Sequence, residues 1–295
     1  MSLPCSIIDL IPQKGKMSFD QSLLKTEHDD GESRAVIREE NLFLDDHGQL
    51  SNAALIEYVN QLNAAVSSYN GQHHHKPARK GLFVGLQDAE FPRTVHLGDT
   101  LTVEAVKTEE VAQVTFVQGV IYRGAEKIAQ VVTKLYEAKD PSEFDAITSP
   151  ARILQPWTMA KIVQPPAYLD SSLQRILYGH FQNIIIADDT ISLRFALPEE
   201  CAVFDGHFPG NPILPGVVLL EIGMLAVRLI VKDTVHLQSI KRMKISSVVL
   251  PRQVVSATVK IERRDGFPSS FSVILETEDG CEVSRFHGNF TKGRD

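Results

Sequence analysis

The chain has 295 residues, of which 43% are hydrophobic and 23% charged, enough apolar side chain for a packed core and too much for intrinsic disorder. A formal charge of −7 argues against general nucleic-acid binding, and three scattered cysteines (Cys5, Cys201, Cys281) form neither a zinc signature nor a disulfide framework, as expected of a reducing compartment. The N-terminal MSLPCSIIDLIPQKGKM is broken by Asp9 and Pro12 and makes a poor export signal, and no apolar run is long enough to span a membrane, so a cytoplasmic protein is expected.

In chain order, ESRAVIREE is a strand candidate, followed by a helix from Asn52 to Tyr69 with Ser51 as its N-cap. Next comes QHHHKPARK. Its three consecutive histidines (His73, His74, His75) cannot all converge on one ion without a further ligand, so a solvated loop insert is expected there rather than a metal site. The insert accounts for a difference in spacing: Glu57 precedes Val95 by 38 residues, whereas Glu221 precedes Val249 by 28. FPRTVHLGDTLTVEAVKTE, VAQVTFVQGVIYRG and KIAQVVTKLYEA then read as strands, several with period-two alternation. Five prolines between Asp140 and Pro166 mark a linker, whose Trp157 and Met159 suggest that it packs on something.

The pattern then repeats. QNIIIADDTISLRFAL is strand-like, and Gly216 to Val231 is a helix starting behind Pro215 and apolar on nearly every side, so it needs cover all round. IKRMKISSVVL, QVVSATVKIERR, SSFSVILETEDG and CEVSRFHGNFT follow as strands, with Gly-containing turns such as Asp265-Gly266 and Asp279-Gly280. Strand, long helix, several antiparallel strands, twice over, predicts two copies of one domain: residues 1–139, a linker over 140–166, and residues 167–295. A curved antiparallel sheet wrapped around one helix would cover each helix. Nothing reads as a dinucleotide or phosphate loop, and no cofactor or metal is expected.

The chemistry is concentrated in DGHFPGNPILPGVVLLE, Asp205 to Glu221. Three prolines and two glycines stiffen a loop that holds His207 next to a helix start. The first amides of a helix have no internal partner, so a carbonyl against the Gly216 N–H would be polarised and an enolate stabilised; one such donor is worth roughly 3–4 kcal/mol. Neutral imidazole can take an α-proton near neutral pH. The stretch resembles the HFPGxPxxPGVxxxE signature of β-hydroxyacyl-acyl-carrier-protein dehydratases. His207, Phe208, Pro209, Gly210, Pro212, Pro215, Gly216, Val217 and Glu221 match, and Glu221 follows His207 by the family's fourteen residues. The resemblance implies an α+β, double hot-dog protein that dehydrates a 3-hydroxyacyl thioester on acyl carrier protein. His207 would be the base, Gly216 the oxyanion donor, and Phe208, Pro209, Gly210 and Pro215 the substrate loop.

The first half, with IPQKGKM, IEYVNQ and VHLGDTL, resembles the hot-dog dehydratase-like proteins of aryl polyene clusters, whose pattern reads IPHxxxM, IEYMAQ and VxxGDxL. The histidine of IPH is Gln13 here, and Phe43 stands fourteen residues before Glu57, where a second His207 would be. His47 lies nearby but lacks the positioning loop. Paired hot-dogs of this family combine the histidine of one copy with the helix acid of the other. The resemblance therefore implies one active site per chain, with His207 facing Glu57, Gln61 orienting Glu57, and Glu221 facing the blank site at Phe43. Glu221 has a structural alternative as a buried partner of Arg228, seven residues on, and Glu57 as a helix-surface carboxylate. The basic clusters Lys76/Arg79/Lys80, Lys241/Arg242/Lys244 and Arg263/Arg264 are candidates for docking an acidic carrier protein; solvated faces are the alternative. Competing readings on the same fold are an acyl thioesterase, which the HFPG loop argues against, and a non-catalytic carrier-binding protein, which the presence of His207 argues against.

Overall fold

The computed structural model describes residues 2–73, 81–138 and 164–293. The apolar helix reading holds without change in the second half: α3 spans Gly216–Val231, and Val217 to Leu229 are all buried. Lys232 ends it in the left-handed conformation, its amide donating to the Arg228 carbonyl at 2.7 Å. Its counterpart α1 spans Asn52–His73, four residues beyond the expected end. His73 is thus the last helical residue, stacked on Tyr69 with ring centroids 4.2 Å apart, and not part of a loop; His74 and His75 lie outside the described residues.

Both helices lie against one continuous antiparallel sheet. The first half contributes β1 (Cys5–Ser6), β2 (Gln21–Glu27), β3 (Asp30–Val36), β5 (Gly81–Glu90), β7 (Thr100–Val111), β8 (Val114–Arg123) and β9 (Glu126–Glu137). A short pair, β4 (Gln49–Leu50) and β6 (Val95–His96), stands apart. The second half contributes β10 (Phe181–Ala187), β11 (Thr190–Phe195), β12 (Val235–Ile245), β13 (Val255–Arg264), β14 (Phe267–Thr277) and β15 (Glu282–Lys292). Across the sheet the order is β1-β2-β3-β7-β8-β9-β5-β12-β15-β14-β13-β11-β10. Each half places a hairpin ahead of its helix, then the strand that follows the helix, then a three-strand meander. The halves meet through the equivalent strands β5 and β12, in register from Ser239 opposite Glu90 to Lys244 opposite Gly85. This is a double hot-dog.

The sequence reading missed β2, β5 and the short helix α2 (Ser172–Gly179). β5, GLFVGLQDAE, carries two glycines and no clean alternation, and it is a strand because β9 and β12 pair with it on both sides. α2 is capped by the Ser171 hydroxyl, which accepts from the Gln174 amide at 3.1 Å. The stretch read as one strand from Phe91 to Glu109 is two, β6 and β7, divided by a turn at Gly98. The expected linker lies, from 140 to 163, outside the described residues. Among the described residues no helix is long and apolar enough to cross a membrane. Of the basic clusters, Lys241 is paired with Asp88 and Glu90, and Arg263 with Asp189, as ordinary surface ion pairs.

Candidate active site

The loop before α3 is held from the other half of the chain. The Lys14 amide donates to the Gly206 carbonyl at 2.8 Å. The backbones approach so closely that a Cβ at Gly206 would stand 1.8 Å from the Lys14 oxygen, and its φ of +77° independently requires glycine. His207 follows, 7% exposed, with Nδ1 2.8 Å from the Ile213 carbonyl. A carbonyl only accepts, so Nδ1 carries the proton and Nε2 keeps a free lone pair in the neutral ring. Burial pushes the imidazole down to about 4, only partly opposed by that hydrogen bond. Phe208, edge-on to the His207 ring at 4.6 Å, takes a left-handed φ of +60°, a strained conformation for a non-glycine residue.

Glu57 comes from the first half. It is 4% exposed on α1, and burial pushes its carboxyl up to about 7. The opposing influences are the Gln61 Nε2–H donated to Oε1 at 3.0 Å and the neighbouring Asn60 amide, which favours the carboxylate without reaching hydrogen-bond geometry. Gln61 is itself tied on both sides: Nε2 donates to the Met17 carbonyl at 2.7 Å, and Oε1 accepts from the Phe19 amide at 3.1 Å.

His207, Glu57, Phe208 and Gly216 border one cavity of about 290 Å³ between α1, β5, the loop and the start of α3. One wall is apolar, with Leu82, Phe83, Leu135, Ile213 and Val248; along α1 the other carries Asn60, Asn63 and Ser67. Gly216 has no room for a side chain, since a Cβ there would lie 2.4 Å from the Phe83 ring. Of the other loop residues, Pro209 and Gly210 are exposed and do not border the cavity, because the turn carries them outward; Pro215 is buried as the N-cap of α3.

Glu221 borders a different and smaller cavity, about 40 Å³, together with Phe43, Ser51 and Arg228. Its carboxyl accepts from the Ser51 hydroxyl, and burial raises its pKa against that bond and the Arg228 charge. Arg228 pairs instead with Asp170 at 2.6 Å and also donates to Gln174 and to the Val235 carbonyl. Phe43 stands where a histidine would have to be, and its ring packs on Phe19. His47 does not border either cavity.

Two residues at the larger cavity were not singled out from sequence as site residues. Gln13 and Asn60 border it, nearly buried, with the Gln13 Oε1 and both Asn60 amide atoms lacking a partner among the described residues. The available signal was their departure from the related pattern, where histidine and alanine stand.

Comparison with known proteins agrees with both halves. A family model described as ApeP dehydratase matches residues 5–146, and one described as ApeI dehydratase matches residues 182–285. The 3-hydroxyacyl-[acyl-carrier-protein] dehydratase FabZ of Latilactobacillus sakei is 30% identical over 110 residues, covering 32% of this chain and 79% of that protein. FabZ of Levilactobacillus brevis is 40% identical over 68 residues, 21% of this chain and 46% of that protein, so the chain spans about half of its length. Among solved structures, an acyl-ACP thioesterase from Bacteroides thetaiotaomicron aligns with a TM-score of 0.57 at 12% identity, covering 89% of this chain and 98% of that one. The dehydratase domain of RzxB from Pseudomonas fluorescens aligns with a TM-score of 0.52 at 12% identity, covering 88% and 94%. At such identities these two show the shared fold alone.

Proposed function

This chain belongs to the hot-dog dehydratase family, and on that premise we propose that it removes water from a 3-hydroxyacyl thioester, presented on acyl carrier protein, at one site shared by its two halves. The observation that carries the reading is the opposite tuning of two groups that border one cavity: His207 is neutral above about pH 4 with Nε2 free, and Glu57 keeps its proton up to about pH 7. Nε2 takes the C2 proton. The electron pair passes into the thioester as an enolate, which the Gly216 amide at the start of α3 stabilises. It returns to form the C2–C3 double bond as the C3–O bond breaks, and Glu57 gives its proton to the departing hydroxyl, which leaves as water. His207 has then gained one proton and Glu57 has lost one, so a single proton transfer resets the pair. The carrier protein reading is supported by the FabZ relatives; their names state a carrier-bound substrate.

The test is mass spectrometry of carrier-bound 3-hydroxyacyl chains incubated with the protein. Loss of water is expected, and His207→Ala and Glu57→Gln each abolish it. Release of free acid would make the protein a thioesterase, and binding without turnover a non-catalytic partner.

A further inference from the structure

The segment ahead of β2 bridges the two halves of the site. At one end Lys14 is bonded to Gly206, the residue before His207; at the other, Met17 and Phe19 hold Gln61, which holds Glu57. Gln13 leads into this bridge. It is 8% exposed, it borders the cavity that His207 and Glu57 share, and its Oε1 is buried with no hydrogen-bond partner among the described residues. Asn60 also keeps unpartnered amide atoms at this cavity, but it stands one turn beyond Glu57 on α1, whereas Gln13 sits on the segment tied to both reacting groups.

A carboxamide oxygen shut away from water costs free energy until a donor reaches it. At a cavity wall that donor can arrive with a ligand. A 3-hydroxyacyl thioester brings one at the reacting carbon. Glu57 donates to the C3 oxygen, which leaves the hydroxyl's own hydrogen without an acceptor, and His207 is engaged at C2. We propose that Gln13 is a positioning and specificity residue whose Oε1 accepts a hydrogen bond from the C3 hydroxyl of the substrate and so turns that oxygen toward Glu57. The inference rests on the dehydratase reading. Gln13 exchanges no proton: the leaving water carries the hydroxyl hydrogen still directed at Oε1 and a second one from Glu57.

The experiment pairs two ligands with two variants. Gln13→Met keeps the length of the side chain and removes the acceptor; Gln13→His restores one as a ring nitrogen. With 3-hydroxyhexanoyl pantetheine thioester, kcat/KM of Gln13→Met falls about 10- to 100-fold. The inhibition constant of hexanoyl pantetheine thioester, which has no C3 oxygen, changes by less than about twofold. Gln13→His keeps the wild-type discrimination between the two ligands. Equal weakening of both ligands in Gln13→Met, no change in either, or loss of discrimination in Gln13→His overturns the assignment. Wild-type protein that never dehydrates the hydroxylated thioester sinks the dehydratase reading itself, before any variant is compared.

Discussion

His207 and Glu57 differ in what burial does to them, and both pH profiles follow. The proposed mechanism needs His207 neutral, above about 4, and Glu57 protonated, below about 7. We expect kcat/KM to be bell-shaped with limbs near those values; activity still rising through pH 8 would show that Glu57 is not the acid. Stability is linked to the same groups. Glu57 binds its proton more tightly folded than unfolded, so its contribution falls as pH rises from 4.5 to about 7. His207 binds its proton less tightly folded, so its contribution is lost as pH falls from 6.5 to about 4. Between 4.5 and 6.5 the two slopes oppose each other. Glu57→Gln removes the first, and urea denaturation should find the variant more stable than wild type by about 3 kcal/mol at pH 8, with the difference gone by pH 4.5. The histidine at the Glu221 cavity, His236, comes from β12, bonded through Nδ1 to the Gln49 side chain, and not from an HFPG loop at a helix start; the cavity is only about 40 Å³, and Glu221→Gln is expected to keep turnover within about threefold of wild type. At this scale, His207 was legible because the prolines and glycines around it specify a turn that few other purposes need. Gln13 was legible only as a departure from the histidine of the related pattern; that its oxygen is buried at the cavity, without a partner among the described residues, was not.

Among the elements, the start of α3 and its tie to α2 carry the most consequence. Gly216 lets Phe83 of β5 close over the helix start, so Gly216→Ala must displace that ring or tilt the helix. Overpacking of this kind costs about 1–3 kcal/mol, and a turnover loss larger than the stability loss is expected because the Gly216 amide moves with the helix. Gly216→Ala combined with Phe83→Leu should recover part of both; no recovery would place the defect elsewhere. Arg228 and Asp170 form a nearly buried pair joining α3 to the segment before α2. Arg228→Met leaves the nearly buried Asp170 carboxylate with the Thr234 hydroxyl but without its cation, and denaturation should show a loss of about 3 kcal/mol. α3 was readable in the sequence to the residue because an apolar helix needs no neighbour to identify it. β5 was hidden because its pairing, not its pattern, makes it a strand.

For the whole molecule, two similar halves make two unlike cavities. One holds His207 and Glu57, and the other holds Glu221 behind Phe43 and the Ser51 hydroxyl. Calorimetric titration with a non-reacting acyl pantetheine thioester should therefore give one site per chain. Two equivalent sites would mean that the smaller cavity opens to substrate.

The sequence by itself determined the repeat, the two helices and the rigid loop bearing His207, because hydrophobic periodicity and the backbone restrictions of proline and glycine act over a few residues. That Glu57, the carboxylate the resemblance implied, borders the same cavity as the imidazole, how each is tuned, and that Gln13 has no donor among the described residues were decided only by the tertiary structure. Those facts depend on the pairing of β5 with β12 and on burial, which bring together side chains some 150 residues apart, His207 and Glu57 among them.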